Sequence, residues 1–378
     1  MSEAPRILRQ LRLQQFRNYA SLRLDCFPGL NLLVGDNGQG KTNVLEAIHY
    51  LAFLRSFRTR QIAELIQWKT DGFAVAAQLA AGEEKSIDLE VHYGRERRLL
   101  AGRVAVDKAS DFINQFLCVA FIPEDIELVK GSGVNRRRFL DMLAAQLDRS
   151  YLRVLHTFVE TLKARNAMLR QFSRFDARSL AAFDDLLVKT GAAVVIRRQA
   201  MTQTLAEHCA TLSQALLAGP PLELAFHPGF PLLAGGEPFP VEAAEVEQRL
   251  ARALESNRER DERERVTAAG PQRDDLDITG DGRPLSAFGS EGQCRAAAII
   301  LRLGAAAVLQ GNVGSTPGVV LLIDDILGEL DRPRRQAFWN IVGNAPQTFF
   351  TCTQIPEELA RSPAHAYEVV GGSLRPAT

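Results

Sequence analysis

Residues 35–42 read Gly-Asp-Asn-Gly-Gln-Gly-Lys-Thr and satisfy the pattern GxxxxGK[ST] at every position. The short apolar run from Leu30 to Val34 precedes them. Val44, Leu45, Ile48 and Leu51 follow at helical spacing. A buried strand, a glycine-rich loop and an amphipathic helix in that order point to an α/β body that binds a nucleotide. Glycines let the backbone curl until several N–H groups converge on one phosphate, and the helix behind adds its positive end. Gly35, Asp36, Asn37, Gly38, Gln39 and Gly40 then form the cradle. Lys41 would neutralise the β- and γ-phosphates, and Thr42 would offer its hydroxyl to Mg²⁺.

A second carboxylate motif lies far along the chain. Val319-Val-Leu-Leu-Ile-Asp324-Asp325 is an uninterrupted apolar run ending in two acids, the form of a Walker B strand. Asp324 is expected to hold the metal bound at Thr42, and Asp325 to orient or deprotonate the attacking water. Between the two motifs, Phe288-Gly-Ser290-Glu-Gly292-Gln293 opens an alanine-rich helix. A Ser and a Gly at a helix start suit a γ-phosphate. A plain Ser N-cap explains the same residues.

The rest of the chain divides by texture. Leu8, Leu11 and Leu13, then Leu22 and Leu24, read as short strands closed by the turn at Pro28-Gly29. From about Arg136, Leu140, Leu143, Leu147, Tyr151, Val154, Phe158 and Leu162 recur every three or four residues, which predicts one long amphipathic helix. A second helix is expected near Leu180 to Arg198. A Pro/Gly-rich connector from Gly219 to Pro240 follows, with a possible strand at Leu222 to Phe226. A third helix is expected from Val241 to about Arg265, ending in the charged run NRERDERER. Gln347 to Thr353 is strand-like again. The two ends therefore read as halves of one α/β body around a mainly helical insertion.

Composition bounds the partners. The 378 residues carry 45 Lys+Arg against 45 Asp+Glu, so bulk charge neither attracts nor repels nucleic acid and any polyanion site must be local. Five cysteines lie far apart with no CxxC pair, which argues against a disulfide framework or structural zinc and fits a reducing compartment. The N-terminus has no apolar core of a signal peptide, and the apolar stretch from Ala296 to Leu309 is too short and is broken by Arg302. A soluble cytoplasmic protein with no membrane partner is expected.

The order of phosphate loop, helical insertion, S-x-G-Q signature, Walker B strand and Gly328-Glu-Leu-Asp331 resembles the ABC-type ATPases of the structural-maintenance-of-chromosomes group. Within that group the chain is similar to the RecF family of recombination mediators. Phe16-Arg-Asn-Tyr19, Gly29-Leu-Asn31, Phe121-Ile-Pro-Glu-Asp125, Leu128-Val-Lys-Gly131, Arg136-Arg-Arg-Phe-Leu-Asp141, Leu162-Lys-Ala-Arg-Asn166 and Gly270-Pro-Gln-Arg-Asp-Asp275 carry the likeness. It implies an α/β ABC-type P-loop ATPase head with an inserted, mainly α-helical arm domain: head 1–130, arm 131–265, head 266–378.

The resemblance also implies roles. ATP and Mg²⁺ would sit on Gly35 to Thr42 with Asp324. Ser290, Gly292 and Gln293 would face the γ-phosphate held by a second protomer, and Asp331 would lie at the dimer seam. An ATP-dependent homodimer would grip double-stranded DNA near single-strand gaps and, with RecO and RecR, help load RecA. Three features depart from the pattern. Gln272 replaces a usual His, Phe349 to Thr353 offers no switch histidine, and the second acid is the shorter Asp325. Slow turnover is expected.

Other residues admit blander readings. Arg55, Arg58 and Arg60, interleaved with Phe53 and Phe57, could meet DNA phosphates, and so could Arg136, Arg137 and Arg138, or either cluster could pair with local acids. The NRERDERER run is expected to be a solvated helix supported by i,i+4 pairs. A transporter's nucleotide-binding subunit would carry an LSGGQ-like signature and a switch histidine, and this chain has FGSEGQ and neither of those features. An ATP-gated nuclease would need a further acid-rich domain.

Overall fold

The computed structural model describes residues 6–81, 85–113, 115–171, 177–216, 221–232, 239, 242–311, 318–326, 328, 330–359 and 363–377. They fall into two units. The first comprises Met1–Ile126, Thr211–Pro221 and Ser290–Thr378; the second comprises Glu127–Ala210 and Leu222–Gly289.

Two sheets build the first unit. One has the order β2-β1-β4-β5-β6-β7, from β1 (Arg6–Phe16), β2 (Tyr19–Asp25), β4 (Phe73–Ala81), β5 (Lys85–Tyr93), β6 (Arg98–Ala101) and β7 (Val104–Ala105), antiparallel throughout. Leu11 and Leu13 pair with Leu24 and Leu22 and are buried. A register shift between Leu8 and Gln10 puts Leu8 on the same buried side despite its odd spacing from Leu11.

The other sheet has the order β15-β14-β3-β13-β12-β8. It is made of β3 (Gly29–Val34), β8 (Leu117–Phe121), β12 (Val319–Asp324), β13 (Gln347–Cys352), β14 (Ala364–Val370) and β15 (Ser373–Pro376). Its pairs are parallel except β14 with β15. Every residue of β12 is buried, as expected of a parallel strand covered on both faces. The phosphate loop leaves β3 and the acids leave β12, both at carboxyl ends, where open α/β sheets place ligands.

The second unit is mainly helical, with a small sheet in the order β11-β10-β9 formed by β9 (Leu222–His227), β10 (Asp275–Gly280) and β11 (Arg283–Pro284). The single helix expected from Arg136 to Leu162 is two, Gly133–Leu147 and Arg149–Arg170. Asp148 stands between them in an extended conformation and accepts a hydrogen bond from the Ser150 amide at 2.7 Å, an N-cap that ends one helix by starting the next. The second helix runs Ala177–Leu216, and the third region divides at Asn257 into Ala243–Ser256 and Arg258–Glu264. Val241 and much of the connector from Gly219 to Pro240 lie outside the described residues. Residues 266–289 pack with this unit, because β10 pairs β9. By packing, the second unit spans Glu127 to Gly289 apart from Thr211–Pro221, beside the arm of 131–265 that the resemblance implies.

Buried arginines knit this unit together. Arg165, fully buried, donates to Asp184, Asp261 and Thr267 at 2.7–2.9 Å. Arg198 is held by Asp141 through two bonds and by Asp274 and the Pro271 carbonyl through its other nitrogen. Arg136 grips Asp275 with a two-pronged pair at 2.7 and 2.9 Å. Asp261, within the run expected to be solvated, is fully buried against Arg165; Arg260 and Glu264 do form the exposed i,i+4 pair.

Candidate functional site

The phosphate loop is shaped by glycines whose positions admit nothing else. Gly40 has φ 115°, and a Cβ there would stand 2.6–2.9 Å from the Asn18 side chain and the Tyr19 hydroxyl. At Gly35 a Cβ would reach 2.4 Å from the Val369 carbonyl oxygen. Two hairpin turns grip the loop at these points. From the β1–β2 turn, Asn18 donates to the Gln39 carbonyl (2.9 Å) and the Tyr19 hydroxyl to the Gly40 carbonyl (3.0 Å). From the β14–β15 turn, the Gly371 amide donates to the Gln39 side chain (2.7 Å) and the Gly372 amide to the Gln39 carbonyl (3.2 Å). Gln39 is thus held through both its backbone carbonyl and its side-chain Oε1.

An open cleft of about 730 Å³ lies over the loop. Asn37, Gly38, Gly40, Lys41, Thr42, Asp324 and Asp325 line it, so residues 282 apart in the chain meet there. Gly35, Asp36 and Gln39 are not on its surface. The Lys41 ammonium donates to the carbonyls of Gly35 (2.6 Å) and Asp36 (2.9 Å), neutral acceptors that a phosphate would outcompete.

Asp324 is nearly buried, and its Oδ1 accepts from the Thr42 hydroxyl (2.8 Å) and the Thr351 hydroxyl (2.7 Å). A hydroxyl and a carboxylate in contact are hard oxygen donors of the kind Mg²⁺ takes while keeping water and phosphate oxygens for its other positions. The residues present thus fit both a triphosphate and its magnesium. Asp325 follows in the left-handed region, φ 47°, which an Asp tolerates better than most residues. Although Asp325 is exposed overall, withdrawal of its carboxyl from water raises its pKa above the ordinary range; Lys41 opposes this and Asp324 adds to it.

Several contributors stand outside the phosphate loop and the Walker B strand. Thr351 is the register partner of Asp324 on β13 and reaches the same carboxylate. Glu46, fully buried, holds Arg17 through two bonds of 2.8 Å and accepts from Ser56; Arg17 also lines the cleft. Arg58 lines it too and donates to Asn43 at 2.9 Å; Arg55 and Arg60, exposed like Arg58, do not line it. Of the second arginine cluster, Arg136 is spent on Asp275 and Arg137 on the Asp274 carbonyl, partners nearly 140 residues distant in sequence rather than the local acids expected.

The signature residues are absent from the cleft lining. The Ser290 amide donates to Gln293 Oε1 (2.8 Å) and the Gln293 amide to Ser290 Oγ (3.2 Å), a reciprocal capping box opening the helix Glu291–Gly311. Gly292 is exposed with open space around its Cα. Asp331 likewise N-caps the helix Arg332–Val342, accepting from the Arg334 amide at 3.0 Å. Gly328 is described; Glu329 lies outside the described residues. The helix Glu291–Gly311 is apolar and long enough to cross a membrane, but most of it is packed inside the unit.

Comparison with known proteins follows the same lines. A family profile described as the RecF/RecN/SMC N terminal domain matches residues 7–119. The DNA replication and repair protein RecF of Symbiobacterium thermophilum is 34% identical over 357 residues, covering 94% of this chain and 93% of its own. That of Moorella thermoacetica is 34% identical over 370 residues, covering 97% and 95%. Among solved structures, the recombination mediator RecF with ATP, of the RecFOR pathway, superposes with a TM-score of 0.90 at 25% identity over 100% of this chain and 99% of its own. An Smc head domain from Pyrococcus furiosus shares the fold alone, at 12% identity and a TM-score of 0.56 over 98% and 96% of the two chains.

Proposed function

The chain belongs to the RecF family of DNA replication and repair proteins, and from that premise we propose that it is an ATP-switched DNA-binding protein of recombinational repair. The observation that carries the mechanism is the contact between Thr42 and Asp324, which joins the two halves of a nucleotide site from opposite ends of the chain. Gly35 to Thr42 bind and orient the triphosphate, chiefly through backbone N–H groups and the Lys41 ammonium. Thr42 and Asp324 hold Mg²⁺, which when bound neutralises phosphate charge. Asp325 positions the attacking water and takes up its proton; its raised pKa suits a base, and its short side chain suits slow turnover.

Because Ser290, Gly292 and Gln293 lie away from their own cleft, we assign them to the γ-phosphate of a second protomer, with Asp331 at the seam. ATP then closes a homodimer on double-stranded DNA near single-strand gaps, and hydrolysis releases it. RecR and RecO are the proposed partners, RecA the indirect beneficiary, and the cytoplasm the place of action. The test is ATP turnover per chain over a range of protein concentrations, with and without gapped duplex DNA. Turnover that rises with concentration and with DNA is expected; flat turnover indifferent to DNA would leave a monomeric P-loop ATPase.

A further inference from the structure

One stretch of the nucleotide cleft is built by no motif. Ile66, Gln67 and Trp68 line it together with the phosphate loop, and Trp68 is the single aromatic residue among its lining. Its indole is 84% exposed, whereas the chain's other tryptophan, Trp339, is buried at 6%. A bare indole is an unusual surface feature, because so large an apolar area normally finds cover.

The turn that presents it is tightly held. The Gln67 amide donates to the Gln15 carbonyl (2.8 Å) and the Arg17 amide to the Leu65 carbonyl (2.7 Å), tying the segment to the end of β1. The Thr70 amide and hydroxyl both bond the Gln67 carbonyl, at 3.1 and 2.9 Å, and close the turn beneath Trp68. Three non-glycine residues here take left-handed backbone: Gln15 (φ 51°), Arg17 (φ 54°) and Lys69 (φ 70°). Strain of this kind persists only where surrounding bonds over-determine it, and it concentrates around ligand sites.

We propose that Trp68 is the platform on which the base of the bound nucleoside triphosphate stacks, an assignment that rests on the nucleotide reading of the cleft. The phosphate loop, Lys41 and Thr42 recognise phosphate oxygens and are blind to the base. A purine needs a flat apolar partner, and Trp68 supplies one in the same cleft, with Ile66 adding apolar surface. A π-face recognises ring area rather than hydrogen-bonding edges, so this platform favours purines over pyrimidines and separates adenine from guanine poorly.

The experiment measures binding of ATP and of inorganic tripolyphosphate, each with Mg²⁺, to the full chain by calorimetry, for the native protein and the Trp68→Ala, Trp68→Phe and Lys41→Ala variants. Trp68→Ala should weaken ATP about 5- to 150-fold, the range for loss of a base–aromatic stack, while Trp68→Phe retains most of the affinity. Tripolyphosphate, which has no base, should bind both Trp68 variants as it binds the native chain. Lys41→Ala should lose both ligands. Unchanged ATP affinity in Trp68→Ala overturns the platform, and so does an equal loss of ATP and tripolyphosphate, which would make Trp68 a support of the loop. A native chain that binds neither ligand, or a Lys41→Ala variant that binds both normally, removes the nucleotide reading and the platform with it.

Discussion

Asp324 and Asp325 are neighbours with opposite environments. Asp324 is nearly buried and its carboxylate is occupied by two hydroxyls, which suits a fixed metal ligand; Asp325 forms no hydrogen bond or ion pair with the described residues and turns toward the cleft through a left-handed backbone. Replacing Asp325 with Asn should therefore cut ATP turnover about 10²- to 10⁴-fold, the usual contribution of general acid–base catalysis, while ATP binding persists. Steady-state hydrolysis beside equilibrium binding checks this, and a parallel loss of affinity would mean that Asp325 holds ligand rather than water. The pH dependence follows in sign. A base works only when deprotonated, so turnover should fall on acidification as Asp325 protonates; burial raises its pKa and Mg²⁺ held beside it at Asp324 would lower it. The limb should vanish from the residual activity of Asp325→Asn. At this scale the sequence was most legible where chemistry is written contiguously, as in Gly35 to Thr42 and Val319 to Asp325. Thr351, Asn18 and Trp68 were illegible as site residues because sheet order, the β1–β2 hairpin and the turn before β4, rather than any local pattern, bring them to the cleft.

Elements of the second unit show what the family-specific stretches do that a generic phosphate loop does not. Asp274 and Asp275 of the GPQRDD stretch, with Arg136, Arg137 and Asp141 of RRRFLD, are consumed in one charged network around Arg198. Asp274 is the sensitive member: burial lifts its pKa to about 6 although Arg198 and the Gly229 amide, both at 2.8 Å, favour its charge. Removing the shared cation by Arg198→Ala would strand two carboxylates, one of them fully buried, and should lower stability by about 3–5 kcal/mol. Urea unfolding is the measurement, and a loss below about 1 kcal/mol would show that water or local rearrangement replaces the guanidinium. Helix periodicity revealed this unit's character but not its seams. Asp148, which caps the helix after it, and Asn257, whose side chain donates to the Ala253 carbonyl of the helix before it, interrupt patterns that read as continuous, since neither bond leaves a mark on apolar spacing. Asp261 misled for a related reason: a balanced charged run reads as solvated, and its one buried acid is explained only by Arg165, nearly a hundred residues earlier.

At the scale of the whole molecule the proposed site is completed by a second copy, and this makes a quantitative demand on mixtures. A Ser290→Arg chain keeps its phosphate loop, Asp324 and Asp325 but presents a blocked signature; the lost cap costs the helix about 0.5–2 kcal/mol, which a folded chain tolerates. An Asp325→Asn chain keeps its signature and binds ATP but does not turn it over. Each alone should be nearly inactive. In an isologous pair, a mixed dimer joins the sound phosphate loop and acid of the first chain to the sound signature of the second, leaving one site intact and one dead. Random exchange of equal amounts puts half the chains in mixed dimers, so the mixture should recover about a quarter of native turnover per chain. Activity that stays at the mean of the two separate variants would place Ser290 outside any shared site and return it to the capping role its hydrogen bonds already fill. Dilution sharpens the outcome, because recovered activity should fall with the square of concentration below the dimer's dissociation constant, whereas an activity housed in one chain falls in proportion.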